Sequence, residues 1–297
     1  MLKIFFKKEE IPTILLLLVC YFFFSIITIF SVNIGNILTI LFLVPFIVLH
    51  SSLQHECIHG HPTSNSYLND IFVFPAIGLL IPYLRFKDTH LKHHKDQNLT
   101  DVFEDPESKY IDPNSWSNYS QLSKIILNFN NTLFGRIVIG PIFILVKLYK
   151  YDFVQIFDGD KRIFSSYIHH FLGLLLVFLW CFHYSSLSFW IYIISAYISL
   201  SILNIRTFLE HVAEKKVSER TVIIDDKGIF SLLFMNNNYH LVHHLNPNKP
   251  WYKLRGIFNK SRNEFLKLNK GYYYKSYFEI FKLYLFTRKD EVAHPFS

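Results

Sequence analysis

The chain has 297 residues, of which 51% are hydrophobic and 18% aromatic, including 31 Phe and 18 Tyr. This composition is more apolar than that of an ordinary soluble domain and indicates a membrane protein. The formal net charge is +7. All thirty basic residues fall on one side of the membrane topology predicted from the apolar runs, which favours cytosolic flanks over a nucleic-acid groove.

Four apolar runs come close to the roughly 20 residues that a membrane-spanning helix requires. They form two predicted hairpins, 11–31 with 36–53 and 163–183 with 187–205. The first run lacks the small-residue cleavage site of a signal peptide and is longer than the apolar region of one, so we interpret it as a span. We therefore predict an all-α membrane protein of about four transmembrane helices, organised as a single domain over 1–297.

Two further stretches are apolar but interrupted. The stretch 67–84 contains Pro75 and Pro82, and the stretch 133–148 contains Arg136, Pro141 and Lys147. We predict that both lie in the membrane plane or re-enter it without crossing.

The charge distribution predicts the orientation. The short connections 32–35 and 184–186 contain no Lys or Arg, so the positive-inside rule places them outside. The N-terminus, the segment 54–162 and the C-terminal third are then cytosolic, and we expect them to form a helical cap.

The stretch His55-Glu56-Cys57-Ile58-His59 matches the H-E-x-x-H motif of zinc peptidases. On a helix, residues four apart share a face, so the two histidines could bind one metal ion while Glu56 acts as a base. A membrane zinc peptidase is therefore one hypothesis. A metal transporter is another, but the predicted spans contain almost none of the polar ligands that it would need.

Two later segments repeat one histidine spacing, H-x-x-H-H. The first is "HLKHH", with His90, His93 and His94, and the second is "HLVHH", with His240, His243 and His244. Imidazoles at i, i+3 and i+4 share a helical face and would repel one another if charged, whereas a metal ion binds them neutral. Together with His55, His59 and His211 they bring nine histidines to the predicted cytosolic side, which exceeds the ligand set of one zinc ion and predicts two metals.

Five other histidines are interpreted as surface or hydrogen-bonded core residues, because a lone histidine is seldom a ligand. They are His50, His169, His170, His183 and His294. Cys20, Cys57 and Cys181 form no C-x-x-C pair, so neither a disulfide framework nor an iron–sulfur cluster is predicted.

The ordered segments "HECIH", "HLKHH" and "HLVHH" resemble the three histidine boxes of the integral-membrane fatty acid desaturases, whose superfamily also contains hydroxylases and carotenoid ketolases. The resemblance covers roughly 45–260. It extends to "QHECIHGHPT", "RTFLEH", "ERTVI" and "NNNYHLVHHLNPNKPWY", which are similar to bacterial desaturase-like proteins. It implies an enzyme of a bacterial inner membrane that uses O2 to desaturate a fatty acyl chain. Hydroxylation or ketolation of a lipid or carotenoid is the alternative.

The resemblance also implies the metal site. It assigns two iron ions to the histidines of the three boxes and to one additional ligand, for which His211 is the candidate. The implied set is His55, His59, His90, His93, His94, His211, His240, His243 and His244. Some family members have an Asn four residues before the additional histidine, where this chain has Thr207. His61 closely follows the first box and is an extra candidate ligand or outer partner.

Removing hydrogen from an unactivated alkyl chain is beyond any side-chain acid or base, so a redox metal that activates oxygen is required. Imidazole is a suitable ligand for iron. Carboxylates are expected to orient the imidazoles from outside, and those nearest in sequence are Glu56, Asp101, Glu104 and Glu210. Only one E-x-x-H unit is present, Glu56 to His59, which argues against a di-iron carboxylate bundle. The sequence contains no haem or flavin motif, so an external ferredoxin-like or cytochrome-like electron donor is implied.

Overall fold

The computed structural model of the chain describes residues 10–296. Almost all of the regular structure in this range is α-helical, and two short strands, β1 (Ile223–Ile224) and β2 (Tyr273–Tyr274), pair in parallel. The helices in chain order are α1 (Ile11–Ile29), α2 (Ser31–Ile34), α3 (Asn36–Ile58), α4 (Ser66–Phe72), α5 (Tyr83–His93), α6 (Pro113–Ser117), α7 (Gln121–Asn130), α8 (Leu133–Val138), α9 (Gly140–Phe157), α10 (Lys161–Tyr184), α11 (Phe189–Thr207), α12 (Ile229–Leu233), α13 (His240–Leu245), α14 (Trp251–Lys260), α15 (Arg262–Leu268) and α16 (Tyr277–Tyr284).

Four of these helices, α1, α3, α10 and α11, are long and apolar enough to cross a membrane. They contain 19 to 24 residues, which corresponds to about 29–36 Å at 1.5 Å per residue and matches the ~30 Å hydrocarbon core. The predicted all-α membrane fold with four spans in two hairpins is confirmed. Gly35, with φ of 82°, ends α2 and precedes α3, a left-handed conformation that glycine adopts at little cost.

The described residues divide into two compact units. The first contains 10–87 and 144–200, and the second contains 88–143 and 201–296. The single domain over 1–297 stays a prediction.

The first unit has an apolar core made by its long helices. Phe24, Leu43, Ile47, Val177 and Tyr192 are buried in it. The irregular stretch between α4 and α5 packs here, and helical side chains bond its backbone. The Tyr192 hydroxyl donates to the Ile77 carbonyl (2.8 Å), the Tyr149 hydroxyl donates to the Leu80 carbonyl (2.8 Å), and His170 Nε2 lies 2.9 Å from the Leu79 carbonyl. Such pairing is what non-helical backbone needs in an apolar environment.

The second predicted in-plane stretch, 133–148, is helical throughout most of its length, in α8 and the first half of α9. Helix α9 continues to Phe157, nine residues beyond the predicted end. The location of either stretch in the membrane plane stays a prediction.

The second unit is built around β1 and α13. Ile223, Leu241, Val242, Leu254 and Phe258 form its apolar core. The Leu241 amide donates to the Val222 carbonyl (3.1 Å), which fixes the start of α13 against the segment before β1. A C-terminal segment, which we define as 285–296, also packs within this unit through backbone hydrogen bonds to 111, 131 and 134.

Candidate metal centre

Local helix geometry positions the two H-x-x-H-H segments. His90 and His93 lie in the last turn of α5, and His94 extends that turn by donating its amide to the His90 carbonyl (3.0 Å). His240, His243 and His244 belong to α13 and are all buried. Each triplet therefore presents its imidazoles on one helical face, as the spacing predicts.

His211 lies four residues beyond the end of α11, in an extended segment that pairs with the residues before β1. An isolated antiparallel bridge joins His211 to Thr221, the Val212 amide donates to the Arg220 carbonyl (2.9 Å), and the Val222 amide donates to the Glu210 carbonyl (3.1 Å). These backbone bonds hold the His211 side chain in a fixed position.

Four histidines of the second unit form a group that could hold one metal ion. Their candidate ligand nitrogens all lie within 4.8 Å of one another. His211 Nε2 is 3.0 Å from His93 Nε2 and 3.1 Å from His240 Nε2, and His240 Nε2 is 3.1 Å from His244 Nε2. We call His93, His211, His240 and His244 the four-histidine group. It draws on both H-x-x-H-H segments and on the additional histidine.

Three further histidines of the second unit lie side by side. Candidate ligand nitrogens of His90, His94 and His243 are within 4.8 Å of one another, and His94 Nε2 is 3.2 Å from His243 Nε2. The remaining predicted ligands belong to the first unit. His55 lies in the last turn of α3 and His59 follows that helix, with their ring centroids 4.8 Å apart.

The other ring nitrogen of several of these histidines contacts an outer partner. His93 Nδ1 is 2.9 Å from Asp105, His90 Nδ1 is 3.0 Å from Glu107, and His240 Nδ1 is 3.1 Å from the Asn237 side-chain oxygen. His211 Nδ1 is 3.3 Å from the Thr221 hydroxyl. Donation from Nδ1 leaves the lone pair of a neutral imidazole on the convergent Nε2, so this donor set fits a metal ion bound by imidazoles.

The surroundings shift the pKa values of these histidines in opposite directions. Nearby carboxylates raise the pKa of His93, whereas burial lowers the pKa values of His211 and His240. Burial lowers the pKa of His93, but Glu107 and Asp105 outweigh burial and raise it to about 9. Burial raises the pKa of Glu107, but the charges of His93 and His90 hold it well below its usual range. Burial and the neighbouring histidines lower the pKa values of His211 and His240 well below 6.5, which favours the neutral form that binds metal.

The four carboxylates predicted as outer partners lie in different environments. Glu210 Oε1 is 3.8 Å from His240 Nδ1 and 3.1 Å from Arg206, and Glu56 Oε1 is 3.9 Å from His55 Nδ1.

Asp101 and Glu104 instead contact groups outside the histidine clusters. Asp101 accepts the amides of Phe103 and Glu104 (both 2.8 Å), and Glu104 lies 3.6 Å from Lys92 with its side chain 61% exposed. Sequence reasoning missed Asp105 and Glu107, although the acidic run "EDPE" that contains both was a usable signal.

His61 is buried, and its Nδ1 lies 2.7 Å from Glu10 Oε1. Within 10–296 neither His61 nor any of the five histidines interpreted as non-ligands belongs to a group that could hold a metal ion. His50 is 3.2 Å from the Tyr21 hydroxyl, and His169 is 2.8 Å from the Ser165 carbonyl. Thr207 is the last residue of α11, and its carbonyl accepts a hydrogen bond from Lys109.

Comparisons with known proteins test the resemblance drawn from the histidine boxes. A search of curated proteins finds no match. The family model described as fatty acid desaturase matches residues 14–276, a range that includes all nine predicted ligands. The match covers most of the chain and confirms the resemblance, so this membrane protein belongs to the fatty acid desaturase family.

Proposed function

We propose that this protein is a di-iron oxidoreductase that uses O2 to introduce a double bond into a fatty acyl chain. Membership of the fatty acid desaturase family supports a lipid substrate and the use of O2. One iron would be bound by the four-histidine group. The second would be bound by the other five predicted ligands, His55, His59, His90, His94 and His243.

The observation that carries the proposal is the four-histidine group, whose ligand nitrogens lie within 4.8 Å of one another. Iron would supply the ability to activate O2, which side-chain acids and bases lack. The protein's own contribution is to hold the imidazoles. Asp105, Asn237 and Thr221 contact their outer nitrogens, and three of the four histidines are buried.

The zinc peptidase hypothesis explains less of the chain. It uses His55, Glu56 and His59 and gives no role to the four-histidine group, which contains none of these residues. Two metals are the simpler account of nine histidines, because one zinc ion takes only three or four ligands.

The basic residues, all outside the two short connections, support a cytosolic site on a bacterial inner membrane. Electrons would come from a separate ferredoxin-like or cytochrome-like protein, because the sequence has no haem motif or cysteine cluster.

Metal and lipid analysis together test this function. Full-length protein purified in detergent is expected to contain about two irons per chain, and cells that express it should gain unsaturated acyl chains only when O2 is present. The variant His93→Ala should lose iron and product. His169→Ala is the matched control, because this exposed imidazole contacts the Ser165 carbonyl of its own helix and belongs to neither histidine group found within 10–296.

One zinc ion and no iron would contradict the proposal. Hydroxylated or ketolated lipids in place of unsaturated ones would replace desaturation by another reaction of the superfamily.

A further inference from the structure

A small cavity in the second unit is lined by basic side chains that the metal centre does not use. Its volume is about 30 Å³, and Lys109, Arg136 and Lys289 all reach its wall. Tyr110, Asn130, Asn131, Asp290 and Glu291 complete the polar lining. Lys289 and Asp290 come from the C-terminal segment, which lies outside the part of the chain matched by the family model.

Arg136 is the central cation of this cavity. The residue is only 5% exposed, and its one side-chain hydrogen bond within 10–296 runs from Nε to the Asn130 carbonyl (3.2 Å). No carboxylate in the described part of the chain lies within ion-pair distance of it. A buried guanidinium without a counter-charge is costly, because a buried charge normally needs a hydrogen-bonded partner of opposite sign.

The two lysines do not compensate for this charge. Lys109 donates to the Thr207 carbonyl, and Lys289, whose side chain is 4% exposed, donates to the His211 carbonyl (3.0 Å). Both amino groups line the same cavity as the guanidinium, and that of Lys289 also pairs with Asp290 at 3.4 Å. Three basic side chains therefore line one small cavity.

Each nearby carboxylate already has a partner other than Arg136. Asp290 lies 3.4 Å from Lys289 and also accepts from the Tyr110 hydroxyl and from Asn131 (3.1 Å). Glu291 is 74% exposed and pairs with Arg288 at 3.6 Å. Glu107 and Glu210 act on Lys109 at longer range, but Glu107 is bonded to His90 and Glu210 is paired with Arg206. The lining therefore keeps an excess of positive charge.

The protonation equilibria agree with this geometry. Burial lowers the pKa of Arg136 only to about 10, with Asp290 opposing the effect, so the guanidinium is charged at neutral pH. Burial and then the charge of Arg136 lower the pKa of Lys109 well below 10.5. An anion in the cavity would offset both effects.

We propose that this cavity binds one small monoanion, either a halide or a carboxylate group, between Arg136, Lys109 and Lys289. About 30 Å³ accommodates roughly one or two atoms the size of a water molecule, which suits a halide ion or the two oxygens of a carboxylate group. The Asn130 amide can turn its N–H groups toward the ligand, because the two amide orientations have the same shape. The bound anion would also strengthen the attachment of the C-terminal segment to the carbonyl of His211.

Thermal unfolding tests the site in full-length, detergent-purified protein. Potassium methanesulfonate, whose anion is neither a halide nor a carboxylate, is replaced stepwise by potassium chloride or potassium acetate at constant ionic strength, and the unfolding midpoint is recorded. Binding to the folded state predicts a saturable rise of a few degrees. Arg136→Gln should abolish the saturable rise. Arg288→Gln should retain it, since Arg288 lies on the same segment but does not line the cavity and donates to Asn128 (2.8 Å).

The two anions separate the possible sources. If the rise in the unfolding midpoint is half complete at a lower concentration of chloride than of acetate, the site is a halide site. If acetate acts at the lower concentration, the site binds a carboxylate. Chloride NMR line broadening on the unmodified protein, competed by acetate, provides a measurement that does not depend on the folding of a variant. An equal rise with sulfate, a rise without saturation, or a full response in Arg136→Gln would overturn the proposal. These readouts need no bound iron, so their outcome is independent of the proposed function.

Discussion

Each outer hydrogen-bond partner in the four-histidine group restricts the rotation of one imidazole ring. Both carboxylate oxygens of Asp105 have a partner. Its Oδ1 lies 2.9 Å from His93 Nδ1, and its Oδ2 accepts a hydrogen bond from the Thr100 amide (2.9 Å). The carboxylate is thus fixed by the backbone before it orients His93. This arrangement makes Asp105 a positioning residue for a predicted iron ligand.

Asp105→Asn should therefore weaken iron binding by ~10 to 100-fold, the usual effect of losing such a partner. The measurement is iron retained by purified protein during titration with a chelator. Glu104→Gln is the matched control, since Glu104 is in the same loop but pairs with the surface residue Lys92. An equal loss in both variants would show that loop charge, and not the contact to His93, controls iron affinity.

A second prediction at this scale separates the oxidase from the peptidase. If His93 and His243 bind iron, His93→Ala and His243→Ala should each abolish lipid oxidation and lower iron content. Glu56→Gln should cost at most ~10 to 100-fold, as expected for an outer partner. The peptidase hypothesis reverses this order, because Glu56 would be its general base. Iron content and oxidised-lipid yield at matched membrane expression decide the ranking, and full activity in either histidine variant would refute the di-iron assignment.

The spacing of the histidines was enough to propose the ligands but not their supports. Repeated i, i+3, i+4 patterns report a shared helical face, which is a local property of the sequence. Outer carboxylates depend on loop conformation. Asp101, which is closer in sequence to the second box, uses its side chain to cap the turn at 103–104, whereas Asp105 faces His93. No periodicity distinguishes these two residues.

At the level of elements, length and hydropathy predicted the four long helices, because a helix that satisfies its own backbone needs only enough apolar residues to cross a membrane. For the irregular stretch before α5, the sequence predicted only that prolines interrupt an apolar run, and it did not predict which groups bond the backbone. The hydroxyls of Tyr149 and Tyr192 that bond its carbonyls come from helices more than sixty residues away. Likewise, nothing local in 285–296 indicates its hydrogen bonds to 111 and 131.

The packing of α10 against that irregular stretch gives a prediction about stability. A Cβ at Gly173 would lie 2.6 Å from the Phe74 carbonyl oxygen, and the Ala76 amide donates to the Gly173 carbonyl (3.3 Å). Gly173→Ala should destabilise the protein by about 1–3 kcal/mol, because backbone must move to admit the methyl group. Thermal unfolding in detergent measures the effect.

Gly256→Ala provides the comparison within a helix. Nothing lies within 4 Å of a Cβ at Gly256 in α14, so this substitution should be neutral or stabilise by up to about 1 kcal/mol through helix propensity. Equal unfolding midpoints for the two variants would mean that the close approach at Gly173 does not constrain the fold.

For the whole molecule, charge and span count make one topological prediction. Four spans return the chain to its starting side, and the two short connections lack Lys and Arg, so both ends should be cytosolic under the positive-inside rule. Truncation fusions to a compartment-sensitive reporter after Pro62, after Ser185 and at the full-length Ser297 follow two, three and four spans. Cytosolic signals are expected from the first and third fusions and an external signal from the second, which serves as the internal control. A cytosolic signal after Ser185, or an external one from either of the others, would change the number of spans and remove the argument for a cytosolic metal site.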